Sequence, residues 1–538
     1  MDKLATTDKE YLTLNVLKTR HAVWSEGKVQ LSKLEDWVAR NAGWLAIGII
    51  AAGLAVRVAY SASCYLNPDE AQHFDAARPA TWIGVFRESH RLAHPPLFIF
   101  VLHAMLVLGR SELILRLPSI AGGTAALWLT FAWIRRTVGR IPALAGLLFM
   151  AISPAAISAS TEVRQYGLLL FFVCGSVYAT ERALSERSTN WAIIQGIFLL
   201  GALLSHYTAP VVILSVDVYV MLRYIAGGVP RRVLFTFVCG QLVLAAVLGW
   251  LFLSYIHHAV VFSPASLLYL KKFYYVPSEE RLLHFTRRSF VETFSYMVSE
   301  KRAILSMFVF VAGVAALLTG RTKAPRLMAV LIFTPFIAGF GTAIFRVLPF
   351  AGSRHQTYLL PFLAAGFAAA VAWIPRKLVV PLLLAGVVYA PLWIARTPPD
   401  NSQRTVPMMD MTAAINYIHQ VVPRNAPLFM DLKTRFILKY YLGGHDPNLD
   451  SWPRGNDEKF GDYPVIAPRT FGWVFSPKDA LMRVNEAAKG LGVPQGQPLW
   501  IVSVAWLDQE PLASGISARD YQSAREFGAI SVIETDRK

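Results

Sequence analysis

Twelve apolar segments follow one another between residues 43 and 395 of this 538-residue chain. A helix needs roughly 20 apolar residues to cross a bilayer, and eleven of these segments approach that length. Only 16% of the residues are charged and the mean hydropathy is +0.42, whereas about 25% are charged in soluble globular proteins. A soluble core does not hide so much apolar surface. The sequence therefore predicts a polytopic α-helical membrane protein.

The twelfth segment, PPLFIFVLHAMLVLG at 95–109, is short and carries His103. Charge decides its placement, because Lys and Arg favour the cytoplasmic side of a membrane. If 95–109 does not span, five basic links fall on the cytoplasmic side, namely 135–140, 181–187, 223–232, 320–326 and 375–377. We therefore treat 95–109 as an amphipathic or re-entrant element. About eleven transmembrane helices remain, near 43–63, 118–134, 141–158, 166–181, 191–206, 208–226, 232–256, 303–319, 326–346, 357–374 and 378–395.

This topology divides the chain into three parts. Residues 1–42 form a cytoplasmic tail, 43–396 form a transmembrane domain with outer loops at 64–117 and 257–300, and 397–538 form an extracytoplasmic domain. The last part alternates between helical patterns such as MTAAINYIHQVV and strand patterns such as PLWIVSVAW, so we expect a small α/β domain. It has no G-x-G-x-x-G loop after a strand, and we assign it no nucleotide.

The net charge of +17 does not indicate nucleic acid binding, because the basic residues fall in short clusters between apolar runs, as expected for a membrane protein. Three cysteines form neither a disulfide framework nor a paired metal motif.

Unusual polar residues collect at the outer ends of the predicted spans. The first outer loop carries two adjacent acids, Asp69 and Glu70. Charged groups at membrane depth are costly and by default mark a functional site. Acids and arginines together suit a site that takes a proton and holds an anion. The other members of this rim are His73, Asp75, His94, Glu162, Arg164, Tyr166, His206, Arg354 and His355.

Simpler interpretations stay open for the same residues. The stretch that starts at Asn67 has an N-cap signal, so the acids would then only begin a helix. Glu162 and Arg164 would form an ion pair, His206 would be a packed side chain, and Arg354 would bind lipid headgroups. The histidines match no spacing that is known for metal ligands. Those considered are His90, His94, His257, His258 and His355. We expect no cofactor, although a divalent cation stays an alternative.

Five stretches occur in the order found in a known family: NPDEAQHFDAA, HPPLFIF, LILRLPSIAGG, SPAAISASTEVRQYGLLL and LSHYTAP. In these stretches, over roughly residues 43–360, the chain resembles the bacterial relatives of the dolichyl-phosphate-mannose protein mannosyltransferases. That group includes the aminoarabinose transferases that modify lipid A. The resemblance implies a membrane-embedded glycosyltransferase of the C type, which takes its sugar from a polyprenyl-phosphate-linked donor outside the bacterial cytoplasmic membrane.

The resemblance also implies roles for residues. Asp69, the first acid of the pair, matches the family's general base, and Glu70 stands beside it as a second catalytic candidate. A late Arg-Tyr motif of the family matches poorly, because the sequence here reads Arg-His-Gln-Thr-Tyr from Arg354 onward. The residues that we expect to bind the substrates are Glu162, Arg164, Tyr166, His206, Arg354 and His94.

The chemistry of these residue types agrees with such a reaction. Arginine forms charge-assisted, often bidentate hydrogen bonds with phosphate, and a carboxylate serves as base for an acceptor hydroxyl. One base and one displacement invert the anomeric centre, whereas retention needs a second carboxylate as nucleophile. We therefore expect an inverting glycosyltransferase that acts on lipid A, a glycan or a protein. The alternatives are a flippase for lipid-linked sugars, which predicts paired repeats that the sequence lacks, and a non-catalytic envelope assembly protein.

Overall fold

The computed structural model describes residues 5–92, 94–227, 229–257, 270–320, 322–397, 407–443, 458–506 and 509–537, with side chains from Lys33 onward except at 376, 377 and 469. A helical part extends to Arg396, and a smaller part built on a sheet begins at Met408. The helices of the first part are α1 (Ala5–Ser63), α2 (Pro68–Ala77), α3 (Trp82–Ser89), α4 (Leu97–Met105), α5 (Glu112–Thr137), α6 (Arg140–Ile152), α7 (Pro154–Thr161), α8 (Tyr166–Ser185), α9 (Thr189–Ser205), α10 (Ala209–Ile225), α11 (Arg231–Leu251), α12 (Leu282–Met297), α13 (Ala303–Leu318), α14 (Lys323–Ile344), α15 (Leu360–Trp373) and α16 (Arg376–Arg396).

All eleven segments expected to span are helical, but fewer of them are long and apolar enough to cross a bilayer. In the described part of the chain eight helices meet that condition, or nine if the bent pair α6–α7 counts as one span. With α6–α7 counted as one span, nine of the eleven expected segments meet this condition. The difference lies in α9 and α10, which have 17 residues each. Helices of this length are at the lower limit for a span, and α10 also carries Asp217 and Arg223.

The doubtful segment at 95–109 forms only the nine residues of α4. At 1.5 Å per residue this helix is about 14 Å long, too short to cross a bilayer, as predicted. Helices α2, α3 and α4 all lie within the predicted first loop, 64–117, and α5 already begins at Glu112. In the predicted second loop, 257–300, the structure contains α12; residues 258–269 lie outside the described part.

A buried arginine supports the break between α6 and α7, whose axes differ by 58°. Pro154 has no N–H to donate to the carbonyl of Met150, so the helical ladder stops there. The Arg57 guanidinium replaces the lost donors, because it donates to the carbonyls of Met150 and Ala151 at 3.3 Å each. Backbone groups freed inside a membrane need such partners, which explains a buried charged side chain near the end of α1.

Two glycines bring α5 against α8. A Cβ atom on Gly122 would lie 2.7 Å from the carbonyl oxygen of Gly167, and one on Gly167 would lie 2.4 Å from that of Ser119. Small residues permit this close approach of helices in membranes. The Ser119 hydroxyl also donates to the Arg164 carbonyl at 2.7 Å. The start of α8 is thereby fixed beside α5, which positions the segment from Glu162 to Tyr166.

The C-terminal part is the α/β domain expected from the sequence. Its sheet has the strand order β2-β3-β1-β4-β6-β5; β1 runs parallel to β3 and β4, and the other pairs are antiparallel. The predicted helix at 411–422 and the predicted strand at 498–506 are present. The elements are α17 (Met408–Val421), β1 (Leu428–Phe429), α18 (Leu432–Leu442), β2 (Glu458–Phe460), β3 (Tyr463–Ile466), α19 (Ala480–Gly490), β4 (Pro498–Val504), β5 (Ser523–Phe527) and β6 (Ile530–Asp536).

Candidate functional site

Helix α2 carries the adjacent acids and begins with a reciprocal cap. The Asn67 side chain accepts the Glu70 backbone N–H at 3.0 Å, and the Glu70 carboxylate accepts the Asn67 N–H at 2.9 Å. Pro68 occupies the first helical position, where its missing N–H has no helical partner in any case. Glu70 therefore does begin the helix, as the simpler interpretation held. Asp69 takes no part in this cap and points to other partners.

Glu70 is enclosed in a buried network. Arg116 on α5 donates from Nε to Oε1 and from Nη2 to Oε2, at 2.8 Å each, and the two side chains are each 2% exposed. The Val163 N–H donates to Oε1 at 2.8 Å. With the Asn67 N–H, each oxygen of Glu70 accepts two hydrogen bonds, which uses the four acceptor positions of a carboxylate. Glu70 has no position left for a substrate proton.

Arg116 extends the same network to the end of α1. Its Nη1 donates to the carbonyls of Ser61 at 2.5 Å and Cys64 at 2.8 Å. The Glu70–Arg116 pair thus joins α1, α2, α5 and the segment before α8. Arg116 was not among the site residues expected from the sequence. A single charge in the apolar stretch LILRLPSIAGG was the signal that it is paired or functional.

Asp69 lies between two arginines from distant parts of the chain. Its Oδ2 is 2.5 Å from Arg164 Nη1 and 2.5 Å from Arg354 Nη2. The Arg164 side chain is 3% exposed, whereas Arg354 is 19% exposed. Burial by itself raises the pKa of Asp69, but the two guanidinium groups outweigh burial and hold that pKa well below its usual range. The structure therefore brings together three of the residues expected from the sequence.

Four imidazole rings form a row along this cluster. The ring centroids of His73 and His94 are 5.5 Å apart, those of His94 and His206 are 6.0 Å apart, and those of His206 and His355 are 5.6 Å apart. Tyr166 joins the row with its ring 5.2 Å from that of His206. We call His73, His94, His206 and His355 the histidine row. In the described part of the chain no three His, Cys, Asp or Glu side chains are arranged to hold a metal ion.

The histidine row stands next to positive charge. Burial, with a further contribution from Arg164, lowers the pKa of His73 to about 3 and that of His206 to about 3. The same causes hold the pKa of His94 well below its usual range. These three rings are therefore neutral near pH 7, and each offers one hydrogen-bond donor and one acceptor.

The remaining predicted residues lie around this centre. Tyr166 lies below both guanidinium groups, with Arg164 Cζ at 5.6 Å and Arg354 Cζ at 6.0 Å from its ring centroid. Glu162, in the segment between α7 and α8, accepts a hydrogen bond from Ser158 at 3.2 Å. His90, one of the histidines considered as metal ligands, lies away from the row and stacks on Tyr255. His258, another of them, lies outside the described residues.

The C-terminal domain contacts α2 directly. Lys439 on α18 is 2.7 Å from Asp75 on α2, and both side chains are less than 5% exposed. The Tyr441 hydroxyl accepts the Leu66 N–H at 2.9 Å, and the Tyr440 ring lies 5.0 Å from that of Phe74. Asp75 was expected at the outer rim from the sequence, whereas its partner on α18 was not. The helix that carries Asp69 is therefore held from one side by Arg116 and from the other by the C-terminal domain.

Comparison with known proteins agrees with this architecture. Residues 93–252 match the family model described as dolichyl-phosphate-mannose-protein mannosyltransferase. No curated protein matches the sequence. The crystal structure of ArnT from Cupriavidus metallidurans bound to undecaprenyl phosphate is similar, with a TM-score of 0.52 at 16% identity, over 91% of this chain and 98% of ArnT. The apo state of the same ArnT gives a TM-score of 0.50 at 14% identity, over 92% and 98%.

At sequence identities this low, the structural similarity establishes a common fold and leaves the substrates open. The family-model match includes Arg116, Arg164, Tyr166 and His206, which belong to the centre described above. The resemblance found in the sequence is thus confirmed. The chain has the fold of the membrane-embedded C-type glycosyltransferases, and its residues 93–252 match the model of the dolichyl-phosphate-mannose-protein mannosyltransferases.

Proposed function

We propose that this protein transfers a sugar from a polyprenyl-phosphate-linked donor to an acceptor of the bacterial envelope, on the outer face of the cytoplasmic membrane. The observation that carries the proposal is the position of Asp69 between Arg164 and Arg354, with Oδ2 at 2.5 Å from each guanidinium. This contact supports a site in which a base stands beside groups that bind an anion. The lipid phosphate bound by ArnT, which has the same fold, is the kind of anion that this site suits.

In the proposed reaction Asp69 accepts the proton of the acceptor hydroxyl while the hydroxyl oxygen attacks the anomeric carbon of the donor. The bond between that carbon and the phosphate oxygen breaks, and its electron pair leaves with the lipid phosphate. A guanidinium stabilises the charge on the departing phosphate. Arg354 is suited to this role because it is the more exposed arginine, at 19% against 3% for Arg164.

Binding of the donor also prepares the base. While both arginines contact Asp69, they lower its pKa, which makes Asp69 a weak base. When Arg354 turns to the donor phosphate, Asp69 loses one of its two cationic partners and its pKa rises. Arg164, which is nearly buried and also contacts His94 Nε2 at 3.2 Å, keeps Asp69 oriented. The carboxylate becomes a stronger base only when the donor is present.

A single available carboxylate on α2 supports inversion. Glu70 is saturated by hydrogen bonds from Arg116, Val163 and Asn67, so it does not serve as a second catalytic acid or nucleophile. We assign Glu70 the role of positioning α2 and assign catalysis to Asp69. With one base and no covalent intermediate, the configuration at the anomeric carbon inverts.

The positions of Glu162, Tyr166, His94 and His206 around this centre support their assignment to substrate binding. No step of the reaction is assigned to a divalent cation. The acceptor, whether lipid A, a glycan or a protein, belongs to the side of the site that faces the C-terminal domain, since that domain packs against α2 through Lys439.

The proposal is tested by incubating the purified protein in nanodiscs with radiolabelled polyprenyl-phosphate sugars and a crude envelope extract. We expect label to move from the lipid to an acceptor, and NMR of the product to show an inverted anomeric centre. A retained anomeric configuration contradicts the single-base mechanism. If the folded protein transfers label from no donor, the transferase proposal is wrong.

A further inference from the structure

We propose that the donor sugar is an uncharged, polyhydroxylated sugar, recognised through its hydroxyl groups by the histidine row, and that a sugar bearing an ammonium group is rejected. This inference rests on the proposed glycosyl transfer and names the class of sugar that the same site takes. Two independent properties of the site carry it: hydrogen-bonding atoms that have no protein partner, and the distribution of charge.

For His73 and His94, the hydrogen bond that each ring forms shows which of its nitrogens is left for a ligand. His73 Nδ1 lies 2.7 Å from the Asp69 carbonyl oxygen; a carbonyl only accepts, so Nδ1 carries the proton and Nε2 is an acceptor. In His94, Nε2 lies 3.2 Å from Arg164 Nη2; a guanidinium only donates, so Nδ1 carries the proton and is a donor. The proton positions follow from these partners.

Buried atoms without a partner cluster at this point. Among the described residues His73 Nε2, His94 Nδ1, Arg164 Nε and the Tyr166 hydroxyl are buried and have no hydrogen-bond partner. An unsatisfied buried polar group is unfavourable, so four in one place indicate a polar ligand. One of the four is an acceptor, two are donors and the hydroxyl is both. Sugar hydroxyls, which donate one hydrogen bond and accept others, match such a mixed set.

The charges exclude a cationic sugar from the same place. Two guanidinium groups, those of Arg164 and Arg354, contact Oδ2 of Asp69. On the same helix Glu70 is paired with Arg116, and Asp75 is paired with Lys439. An ammonium group here would stand beside guanidinium groups, and each acid of α2 already has a cationic partner; a charge buried without a partner is strongly unfavourable.

Glu162 is the carboxylate that a cationic sugar would have to use. It lies between α7 and α8 and accepts a hydrogen bond from Ser158 at 3.2 Å. The experiment therefore includes the variant Glu162→Gln, which removes the charge of this side chain and keeps its size.

The test uses matched donors on the same polyprenyl phosphate. A pentose set contains arabinose, 4-amino-4-deoxyarabinose and its N-formyl derivative; a hexose set contains glucose, glucosamine and N-acetylglucosamine. Within each set one member carries an ammonium group and the others do not. The purified protein in nanodiscs is incubated with each donor, with and without envelope extract, and kcat/KM is measured for transfer and for hydrolysis by water.

We expect a neutral member of at least one set to be used more than about tenfold more efficiently than its ammonium counterpart, which corresponds to about 1.4 kcal/mol of discrimination. If the ammonium donor is used as well as its neutral counterparts, or better, the inference is overturned but the proposed transfer stays intact. The result is clearest if Glu162→Gln abolishes the use of the ammonium donor. Release of label from none of the six donors instead contradicts the proposed function itself, and the inference falls with it. The two failures are thus distinguishable.

Discussion

The substitution Glu70→Gln separates the work of the two adjacent acids. Glu70 forms a buried bidentate pair with Arg116, and both side chains are 2% exposed. A glutamine keeps one acceptor oxygen but removes the charge, so Arg116 is left as an uncompensated buried cation. Breaking a buried ion pair in this way costs about 3–5 kcal/mol. We therefore expect Glu70→Gln to lower the stability of the protein far more than it lowers the activity of the molecules that stay folded.

The assay measures both quantities on the same nanodisc sample: the thermal unfolding midpoint, and sugar transfer per folded molecule. The matched control is Glu88→Gln, which changes the same type of side chain in a partly exposed ion pair with Arg91, where the cost is about 0–1 kcal/mol. In the double variant with Arg116→Met the loss of stability should be smaller than the sum of the two single losses, because no unpaired charge remains.

One result would refute this reasoning. If Glu70→Gln keeps the unfolding midpoint of the wild type and loses transfer by more than about a hundredfold, Glu70 takes part in the chemistry. The four hydrogen bonds to Glu70 would then have to open during the reaction.

Three further changes follow from the same contacts. Arg354→Ala should lower kcat/KM for the donor by about tenfold to a hundredfold, since a charge-assisted hydrogen bond contributes about 1.5–3 kcal/mol. Arg354→Lys should recover part of that loss. Equal kcat/KM in the wild type and both variants would contradict the role of Arg354 in binding the phosphate. Lys439→Met should lower kcat because α2 loses its partner in the C-terminal domain. The control is Lys433→Met, which changes a lysine that is buried in the same helix but paired within that domain; it should leave kcat within about threefold per folded molecule. Similar losses in the two variants would contradict the role of Lys439 in holding α2. The pKa of His73 and that of His206 are about 3 in the folded protein and about 6.5 in the unfolded chain. Between these two pH values the unfolded chain binds more protons than the folded protein. The stability is therefore fully present above about pH 6.5 and falls as the pH drops below it. At pH 5 the loss is about 2 kcal/mol for each ring, and His73→Gln should reduce the fall in unfolding midpoint between pH 7 and pH 5; an unchanged midpoint over that range would contradict the buried, neutral rings.

The sequence was a good guide to the fold because hydrophobicity alone marks helices in a membrane protein. Charge placement also distinguished the short α4 from the spanning helices. An apolar run predicts a helix more securely than the length of that helix, as the 17-residue α9 and α10 show. The strands β2, β3 and β5 were missed because they have only three to five residues each, and so short a run carries little alternation.

The composition of the site was predictable from residue type and position at the rim, but its pairings were not. Asp69 meets Arg354 across 285 positions of sequence, and only the folded chain shows that Asp69 is shared between two arginines while Glu70 is enclosed by Arg116. The contact between Asp75 and Lys439 spans 364 positions and joins two domains. Long-range pairs of this kind leave no local pattern, since each residue by itself is an ordinary charged residue.

The central claim, that Asp69 is the base of a glycosyl transfer, is tested most directly by the rate of label transfer in Asp69→Asn. The variant is measured in nanodiscs beside the wild type and Glu88→Gln, at equal concentrations of folded protein. We predict a loss of about a hundredfold to ten-thousandfold in kcat for Asp69→Asn, the usual contribution of a general base, with donor binding retained and Glu88→Gln close to the wild type. Transfer by Asp69→Asn at the wild-type rate would contradict the account, because the carboxylate between the two arginines would then not be the group that takes the proton.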